Sequence, residues 1–331
     1  MARPHVTAIR PGRAIPGGRI DVEGEGFPVA APRLPRVHIA GLPARVVCAS
    51  GHTLGVLVPE SIGESCSAPV HLEGAEDDPT LAVEIAAPFA TGLHQVDNPV
   101  FDREGNLYVT YSGTRGQQVP VSIFRVRPDG TRETFASGIV NPTSMAIGPD
   151  DQLYVSSRFE GTVFRLGQDG TAEAFASDLG VACGLAFAPD GTLYVGDRTG
   201  TIFAVDRSGQ ATPFATLPPS VAAFHLALGP DGALYVSAPT LSPYDPVYRI
   251  NSAGTVGIRS ERFGRPQGLA FDATGDLYVI EALAGASGLL RVPAEGPPEL
   301  VLAGPGLIGV AFPPGGGLVV CSNDTAYRLP A

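Results

Sequence analysis

The chain has 331 residues and a formal net charge of −11, and all 22 of its basic residues are arginine. This acidic balance argues against nucleic acid as a partner of the whole chain, and the absence of lysine excludes a lysine Schiff base or general base. No run of 18 or more apolar residues occurs, so we expect no membrane span.

The N-terminal segment, Met-Ala-Arg-Pro-His-Val, lacks the apolar core of a secretion signal. We therefore expect a cytoplasmic protein, with export left open if a leader has been removed.

Residues 1–80 contain no internal repeat and alternate short apolar segments with Pro- and Gly-rich turns. This pattern predicts a small β-sandwich. Its opening, with Pro11, Gly17-Gly18, an alternating strand and Gly24-Glu-Gly-Phe27, resembles the IPT/TIG family of immunoglobulin-like domains. The resemblance implies an accessory role in spacing, docking or binding.

Arginine is concentrated at the start of this region. The first 50 residues contain the arginines Arg3, Arg10, Arg13, Arg19, Arg33, Arg36 and Arg45 against the acidic residues Asp21, Glu23 and Glu25. Some IPT/TIG relatives bind DNA, but in a chain that uses arginine throughout in place of lysine we expect a solvated surface.

Four cysteines are too few for a disulfide framework. Cys48 and Cys66 of the predicted sandwich form either a bridge, if the protein is exported, or two buried thiols. Cys183 and Cys321 fall on predicted strands, where a thiol packs as a small apolar group. A nucleophilic Cys183 would need a nearby base.

A tetrapeptide ending in Leu-Tyr-Val recurs beyond residue 105 at intervals of about 40 to 46 residues. The copies begin at Asn106, Gln152, Thr192, Ala233 and Asp276, and a degenerate Leu-Val-Val copy begins at Gly317. This is the period at which a four-stranded antiparallel blade recurs in a β-propeller. We predict a six-bladed propeller over residues 81–331.

The last repeat stops after its third strand. The missing fourth strand is supplied upstream, because Ala87-Pro-Phe-Ala-Thr-Gly92 matches the fourth-strand segment Glu133-Thr-Phe-Ala-Ser-Gly138. We predict that residues 82–90 complete the last blade, which removes its free sheet edge.

Tight Gly turns and longer links alternate along every repeat, so they are predicted on opposite faces of the ring. The longer links, on the face that we call the top, are 110–120, 156–161, 196–200, 237–246, 280–288 and 321–325. Variable loops on a rigid scaffold are where ligands usually bind. We expect a small molecule, a glycan or a protein to bind there.

The blade pattern Gly-Leu-Ala-Phe-x-Pro-Asp-Gly-x-Leu-Tyr-Val resembles the superfamily that joins NHL-repeat propellers with gluconolactonase or senescence-marker propellers. In the gluconolactonase branch, the resemblance implies a divalent cation, often calcium, that polarises a lactone carbonyl and activates water at the top of the channel. The positions matching its ligands are Asp97, Cys183 and Gln267. A thiol and an amide replace two of the expected oxygen ligands, which weakens binding of a hard cation, and Asp97 is the one predicted metal ligand.

His225 stands where other repeats have Gly184, Gly268 or Gly309, so its imidazole is expected to project into the channel. Two interpretations stay open. The side chain either fills the channel and bonds a backbone carbonyl, or pairs with Glu281 for general acid–base catalysis. The second arrangement resembles streptogramin lyases, which use His and Glu with a metal.

Further polar residues are expected near the top face, as ligand contacts or as ion pairs between blades. They are Asn98, Arg158, Asp197, Arg198 and Gln267. Two functions from different classes follow. The altered ligand set favours a noncatalytic recognition propeller, and the family resemblance favours a metal-assisted hydrolase or lyase in the top pocket.

Overall fold

A computed structural model of the chain describes residues 3–29, 34–76, 78, 80–282 and 287–329. Every regular element in these ranges is a β-strand, which confirms the predicted all-β class. The described part contains no helix that could cross a membrane. Arg33 and residues 283–286 of the predicted link 280–288 lie outside the described residues.

Strands of the N-terminal region share one apolar core. They are β1 (His5–Arg10), β2 (Arg13–Ala14), β3 (Arg19–Glu25), β4 (Val37–Ile39), β5 (Leu42–Ala49), β6 (Thr53–Leu57), β7 (Cys66–Leu72) and β8 (Ala82–Ile85). In β3, Ile20 and Val22 are fully buried whereas Arg19 and Asp21 between and beside them are partly exposed. This alternation is the two-residue period of a strand with one face on a core.

Five separate four-stranded antiparallel sheets follow in a β-propeller arrangement. Four of them are built from consecutive strands: β10 (Val100–Phe101), β11 (Leu107–Thr110), β12 (Ile123–Val126) and β13 (Arg132–Ala136); β14 (Pro142–Ile147), β15 (Leu153–Ser157), β16 (Thr162–Leu166) and β17 (Ala172–Ala176); β18 (Ala182–Phe187), β19 (Leu193–Asp197), β20 (Thr201–Val205) and β21 (Ala211–Thr216); β22 (His225–Leu228), β23 (Leu234–Ser237), β24 (Asp245–Ile250) and β25 (Val256–Phe263).

The last part of the chain forms two further sets of four paired strands. The fifth separate sheet contains β30 (Leu307–Ala311), β31 (Leu318–Ser322) and β32 (Thr325–Leu329) together with β9 (Ala87–Thr91). The preceding strands are β26 (Pro266–Phe271), β27 (Leu277–Glu281), β28 (Gly288–Val292) and β29 (Glu299–Ala303). They pair in the same antiparallel order but form one end of a twelve-stranded sheet that continues into β1–β8.

The pairing of β9 with β32 bears out part of the predicted closure. Ala90 lies opposite Ala326 and Ala87 opposite Arg328, so residues 87–90 complete the last sheet. The prediction was wrong for residues 82–85, which form β8 and pair with β7 and β2. Their apolar side chains are buried in the N-terminal core, and a strand that packs there cannot also extend the ring.

The strand β2 joins the N-terminal part of the twelve-stranded sheet to the part formed by β26–β29. Ala14 pairs in parallel with both Ile85 of β8 and Ala303 of β29. Gly18 follows this junction, and a Cβ atom at its position would lie 2.4 Å from the Ala303 carbonyl oxygen. The close approach therefore requires glycine.

The Leu-Tyr-Val repeat has a physical explanation in these sheets. Leu234 and Val236 are buried on one face of β23, while Tyr235 lies opposite Arg249 of β24. Asp231, in the turn before β23, accepts a hydrogen bond from the Tyr235 hydroxyl at 3.0 Å and another from Arg249 Nε at 2.8 Å. We call this arrangement the Asp-Tyr-Arg network. The same Tyr-Arg opposition recurs at Tyr108 and Arg125, Tyr154 and Arg165, and Tyr278 and Arg291.

The innermost strands β10, β14, β18, β22, β26 and β30 contact one another in sequence order. Neighbouring sheets are also joined by buried hydroxyls: Ser156 donates to the Cys183 carbonyl and Ser237 to the Gln267 carbonyl, each at 2.5 Å. Between β30 and the segment entering β10, Val310 N donates to Asn98 Oδ1 at 2.9 Å. All inner strands begin at the top face and run towards the Gly turns, so their first residues surround the top of a central channel.

Candidate functional site

The centre of the channel is crossed by a hydrogen bond between Asp97 and His225. His225 Nδ1 lies 2.5 Å from Asp97 Oδ1, and the side chains are 0% and 3% exposed. On either side around the ring, two inner strands separate β22, which begins at His225, from β10, which Asp97 precedes. The bond, which we call the cross-channel tie, therefore links opposite sides of the propeller.

Neighbouring residues fix Asp97 in this position. Gln95 Nε2 donates to the Asp97 carbonyl at 2.7 Å, and Gln95 Oε1 accepts from Thr110 N at 2.8 Å. Asp97 Oδ1 also accepts from Asn98 N at 2.7 Å. Asp97 Oδ1 therefore has two hydrogen-bond partners within the protein.

Asn98, a predicted ligand contact, is bonded at both ends of its side-chain amide to main-chain groups. Its Nδ2 donates to the Leu269 carbonyl at 2.7 Å, and its Oδ1 accepts from Val310 N. These bonds join the segment before β10 to β26 and β30. In this position Asn98 closes the ring, and both of its polar ends are already used.

Asp197 and Glu281 occupy equivalent positions at the ends of β19 and β27. Asp197 Oδ1 accepts from Val181 N at 2.9 Å, and Glu281 Oε2 accepts from Gly264 N at 2.8 Å. Both carboxylates thus hold the crossover that enters their own sheet, and burial raises the pKa of Glu281. The expected pair of His225 and Glu281 is not hydrogen-bonded. His225 is bonded to Asp97, and Glu281 to the main chain of Gly264.

The top of the channel opens into a cavity of about 250 Å³, which we call the top mouth. Its polar lining consists of Arg158, Arg198, Cys183 and Gln267, and the remainder is small apolar side chains. Arg158 is half-buried and Arg198 is exposed. The structure therefore brings together three of the predicted ligand contacts, Arg158, Arg198 and Gln267.

Arg158 and Arg198 of the top mouth lie close enough to each other and to Arg115 for their charges to interact. Burial lowers the pKa of Arg158, and the nearby guanidinium groups of Arg198 and Arg115 add to that effect. Burial and Arg158 together also lower the pKa of His94. Among the described residues, Arg115, Arg158 and Arg198 form no ion pair and no side-chain hydrogen bond. Arg115 was not singled out from the sequence, although it falls within the predicted top link 110–120.

The other end of the channel has a different character. A cavity of about 410 Å³ there, the bottom mouth, is lined by Asp97 and mainly apolar residues that include Leu228, Phe271 and Phe312. The cross-channel tie lies between the two mouths. Nothing in the sequence spacing indicated this tie, because its partners are 128 residues apart.

The cysteines are all free thiols. Cys183 and Cys321 are buried as predicted, and burial raises the pKa of Cys183 to about 12. A protonated thiol is a poor nucleophile, so Cys183 is not activated for attack. Cys48 is exposed and accepts a hydrogen bond from Arg19 at 3.4 Å, so the expectation of two buried thiols at Cys48 and Cys66 was wrong for Cys48, which faces away from the core.

The positions that match the gluconolactonase cation ligands do not fit a hard cation well. Asp97 Oδ1 is bonded to His225, Cys183 carries a thiol, and Gln267 carries a neutral amide. Across the described ranges, no three His, Cys, Asp or Glu residues form a group that could hold a metal. A calcium ion at Asp97 stays a prediction.

Several solved structures share this architecture. The chain has a β-propeller fold. An auxiliary nutrient binding protein from Bacteroides ovatus aligns over 100% of this chain and 98% of its own, at 13% identity and a TM-score of 0.58. A gluconolactonase from Xanthomonas campestris covers 72% of this chain and 88% of its own, at 17% identity and a TM-score of 0.59.

A third neighbour is virginiamycin B lyase from Staphylococcus aureus, which covers 99% of this chain and 95% of its own at 14% identity and a TM-score of 0.52. No protein-family model and no curated protein matches the chain. At these identities the likeness concerns the fold alone.

Proposed function

We propose that this protein is a binding propeller that holds a small molecule in the top mouth. The observation behind the proposal is a cavity lined by Arg158 and Arg198, neither of which has an ion-pair partner among the described residues. Its floor is formed by Asp97 and His225, which are bonded to each other. Glycan or protein partners that present a small group to the same face are compatible with it. Pockets of this kind combine an apolar wall with a few oriented polar groups.

The chemistry of the site favours binding over catalysis. A general base must reach the proton that it removes, but the Asp97 and His225 side chains are 3% and 0% exposed. The Cys183 thiol is protonated at neutral pH, and the Gln267 amide cannot accept a proton as a base does. The Bacteroides ovatus neighbour is described as an auxiliary nutrient binding protein, which is consistent with this proposal.

We also propose how the fold is organised. Counting β26–β29 as a blade gives six blades over residues 81–331. The strands within residues 1–80 then form an accessory immunoglobulin-like domain of the IPT/TIG type, joined to the propeller at β2. NHL-type repeats would account for the blade period.

Filling the top mouth tests the binding function. Ala222 lines the cavity, and Ala222→Trp should abolish any thermal stabilisation by a panel of sugars, sugar acids and lactones. Ala253→Trp, at an exposed turn between β24 and β25, is the matched control and should retain it. A ligand at one hundred times its Kd stabilises by about 2.7 kcal/mol. Equal stabilisation of both variants would place the site elsewhere.

The second candidate is a lactonase-like hydrolase or lyase, favoured by the gluconolactonase neighbour. For this activity Asp97 would have to exchange His225 for a cation. Unfolding temperatures with calcium and with a chelator, together with lactone hydrolysis by wild type and Asp97→Asn, decide between the candidates. Turnover that is lost in Asp97→Asn and in chelator would replace the binding proposal.

A further inference from the structure

We propose that the top mouth selects small organic oxyanions, carboxylates or phosphate esters, with Arg158 and Arg198 as their charge partners and Arg115 at the rim. This inference rests on the proposed binding function and specifies its ligand class.

The arginines of the propeller differ in their partners. On three of the third strands a guanidinium group meets a carboxylate: Arg125 with Glu133, Arg249 with Asp231 and Arg291 with Glu299, all within 3.0 Å. The arginines of the top mouth have no such partner in the described ranges. In a chain of net charge −11, a cluster of like positive charge without counter-ions is an arrangement that an anionic ligand would complete.

The carboxylates of Asp97 and Asp197, near the top mouth, already have hydrogen-bond partners. Asp197 precedes Arg198 in the chain but accepts from Val181 N and Thr199 N. Asp97, on the floor, is bonded to His225. Neither carboxylate neutralises the guanidinium groups above it by a direct contact.

Arg158 is only partly accessible to water. Its side chain is half-buried, and it lines the cavity together with Cys183 and Gln267. Withdrawing a charge from water without a partner is costly, so an anion that binds there recovers part of that cost. Arginine is also suited to the task, because its planar guanidinium can donate two parallel hydrogen bonds to a carboxylate or phosphate.

The cavity also limits the ligand's size. Its volume of about 250 Å³ lies below the ~300–1,000 Å³ of pockets for drug-sized ligands. The neutral Gln267 amide in the same wall provides a donor and an acceptor for a hydroxyl. Val221, which lines the mouth and is 45% exposed, offers apolar surface to a carbon skeleton.

Calorimetric titration with charged and neutral probes of one scaffold tests the inference. The probes are glucose 6-phosphate, gluconate and glucose at constant ionic strength. We expect at least one of the two anions to bind roughly tenfold or more tightly than glucose, because hydrogen bonds to charged groups are the stronger class. Added sodium chloride should weaken anion binding and leave glucose binding unchanged.

Variants that each remove one arginine charge show which residues bind the anion. Arg158→Gln and Arg198→Gln should each weaken binding of the anion roughly tenfold or more. Arg45→Gln removes an exposed arginine from β5, distant in the chain from the mouth, and should change affinity less than twofold. Circular dichroism and the unfolding temperature of each variant show whether it is folded.

The outcomes separate this inference from the proposed function. Glucose binding as tightly as the anions, with the binding abolished by Ala222→Trp, would overturn the oxyanion preference and keep the binding function. Anion binding that is unaffected by Arg158→Gln and Arg198→Gln would also overturn it. No binding of any of the three probes, neutral or charged, would overturn the inference, whereas stabilisation by other members of the ligand panel would leave the binding function standing.

Discussion

The two ends of the propeller blades use arginine in opposite ways. At the bottom turns, Arg249 is joined to Asp231 and Tyr235 in an Asp-Tyr-Arg network that links two strands of one sheet. At the top mouth, Arg158 and Arg198 lie without a carboxylate partner in the described residues. The arginine charge at the bottom end is therefore neutralised within the protein, whereas the arginine charge at the top mouth is available to a ligand.

The same contrast extends to the N-terminal region. Its arginine-rich surface is largely paired, with Arg10 bonded to Glu23 at 3.2 Å and Arg19 to Asp21 at 3.1 Å. This pairing agrees with the expectation of an ordinary solvated surface. A high density of arginine in the sequence is therefore a poorer guide to binding than the absence of a partner in the structure.

Breaking the cross-channel tie, which lies between the top and bottom ends of the channel, should cause the largest loss of stability. Asp97→Ala removes the partner of a fully buried imidazole, and removal of one member of such a pair costs about 3–5 kcal/mol. Urea unfolding measures the loss. The control is Ser322→Ala, which removes a partly exposed hydroxyl outside the channel. A loss of stability below about 1 kcal/mol for Asp97→Ala would contradict a structural role for the tie.

Exchanging arginine for glutamine at each end sharpens the comparison further. Arg249→Gln should lower the free energy of unfolding only slightly, since its ion pair with Asp231 is partly exposed and screened by solvent. Arg158→Gln should leave stability unchanged or raise it slightly, because it removes a half-buried charge for which the described residues provide no partner. Chemical denaturation of both variants is the measurement, and an equal loss in both would mean that Arg158 is structural as well.

The smallest expected effect is a dependence of stability on alkaline pH, caused mainly by the tyrosines of the Asp-Tyr-Arg networks at the bottom turns. Burial and Asp150 raise the pKa of Tyr154 to about 12, above the ordinary value of 10.0. The folded state therefore keeps a proton that the unfolded state loses, so stability is intact below pH 10 and falls as the pH rises from 10 to 12. Because the chain has no lysine, tyrosine and buried thiols such as Cys183 dominate this range.

Unfolding free energies at pH 9 and pH 11.5 for wild type and Tyr154→Phe check this dependence. The variant should lose less stability over the interval than wild type does. An identical decline in the two proteins would assign the effect to other groups.

Much of the fold was determined by the sequence alone. The Leu-Tyr-Val period predicted the repeated four-stranded sheets because each strand has a buried face with a two-residue period, and each turn needs glycine. The matching segments at Phe89 and Phe135 predicted that β9 would complete the last sheet. Local chemistry sufficed for these features because it recurs in every repeat.

The tertiary structure decided what no local pattern encodes. The partner of His225 proved to be Asp97, on the opposite side of the ring, because closure of the ring brings distant strand starts to one axis. The same closure determined that Asp197 and Glu281 accept hydrogen bonds from crossover amides. Within the described part of the chain, it leaves Arg115, Arg158 and Arg198 without an ion-pair partner. Sequence fixes which groups a strand presents, but only the packing of all strands around the axis fixes which of those groups find partners.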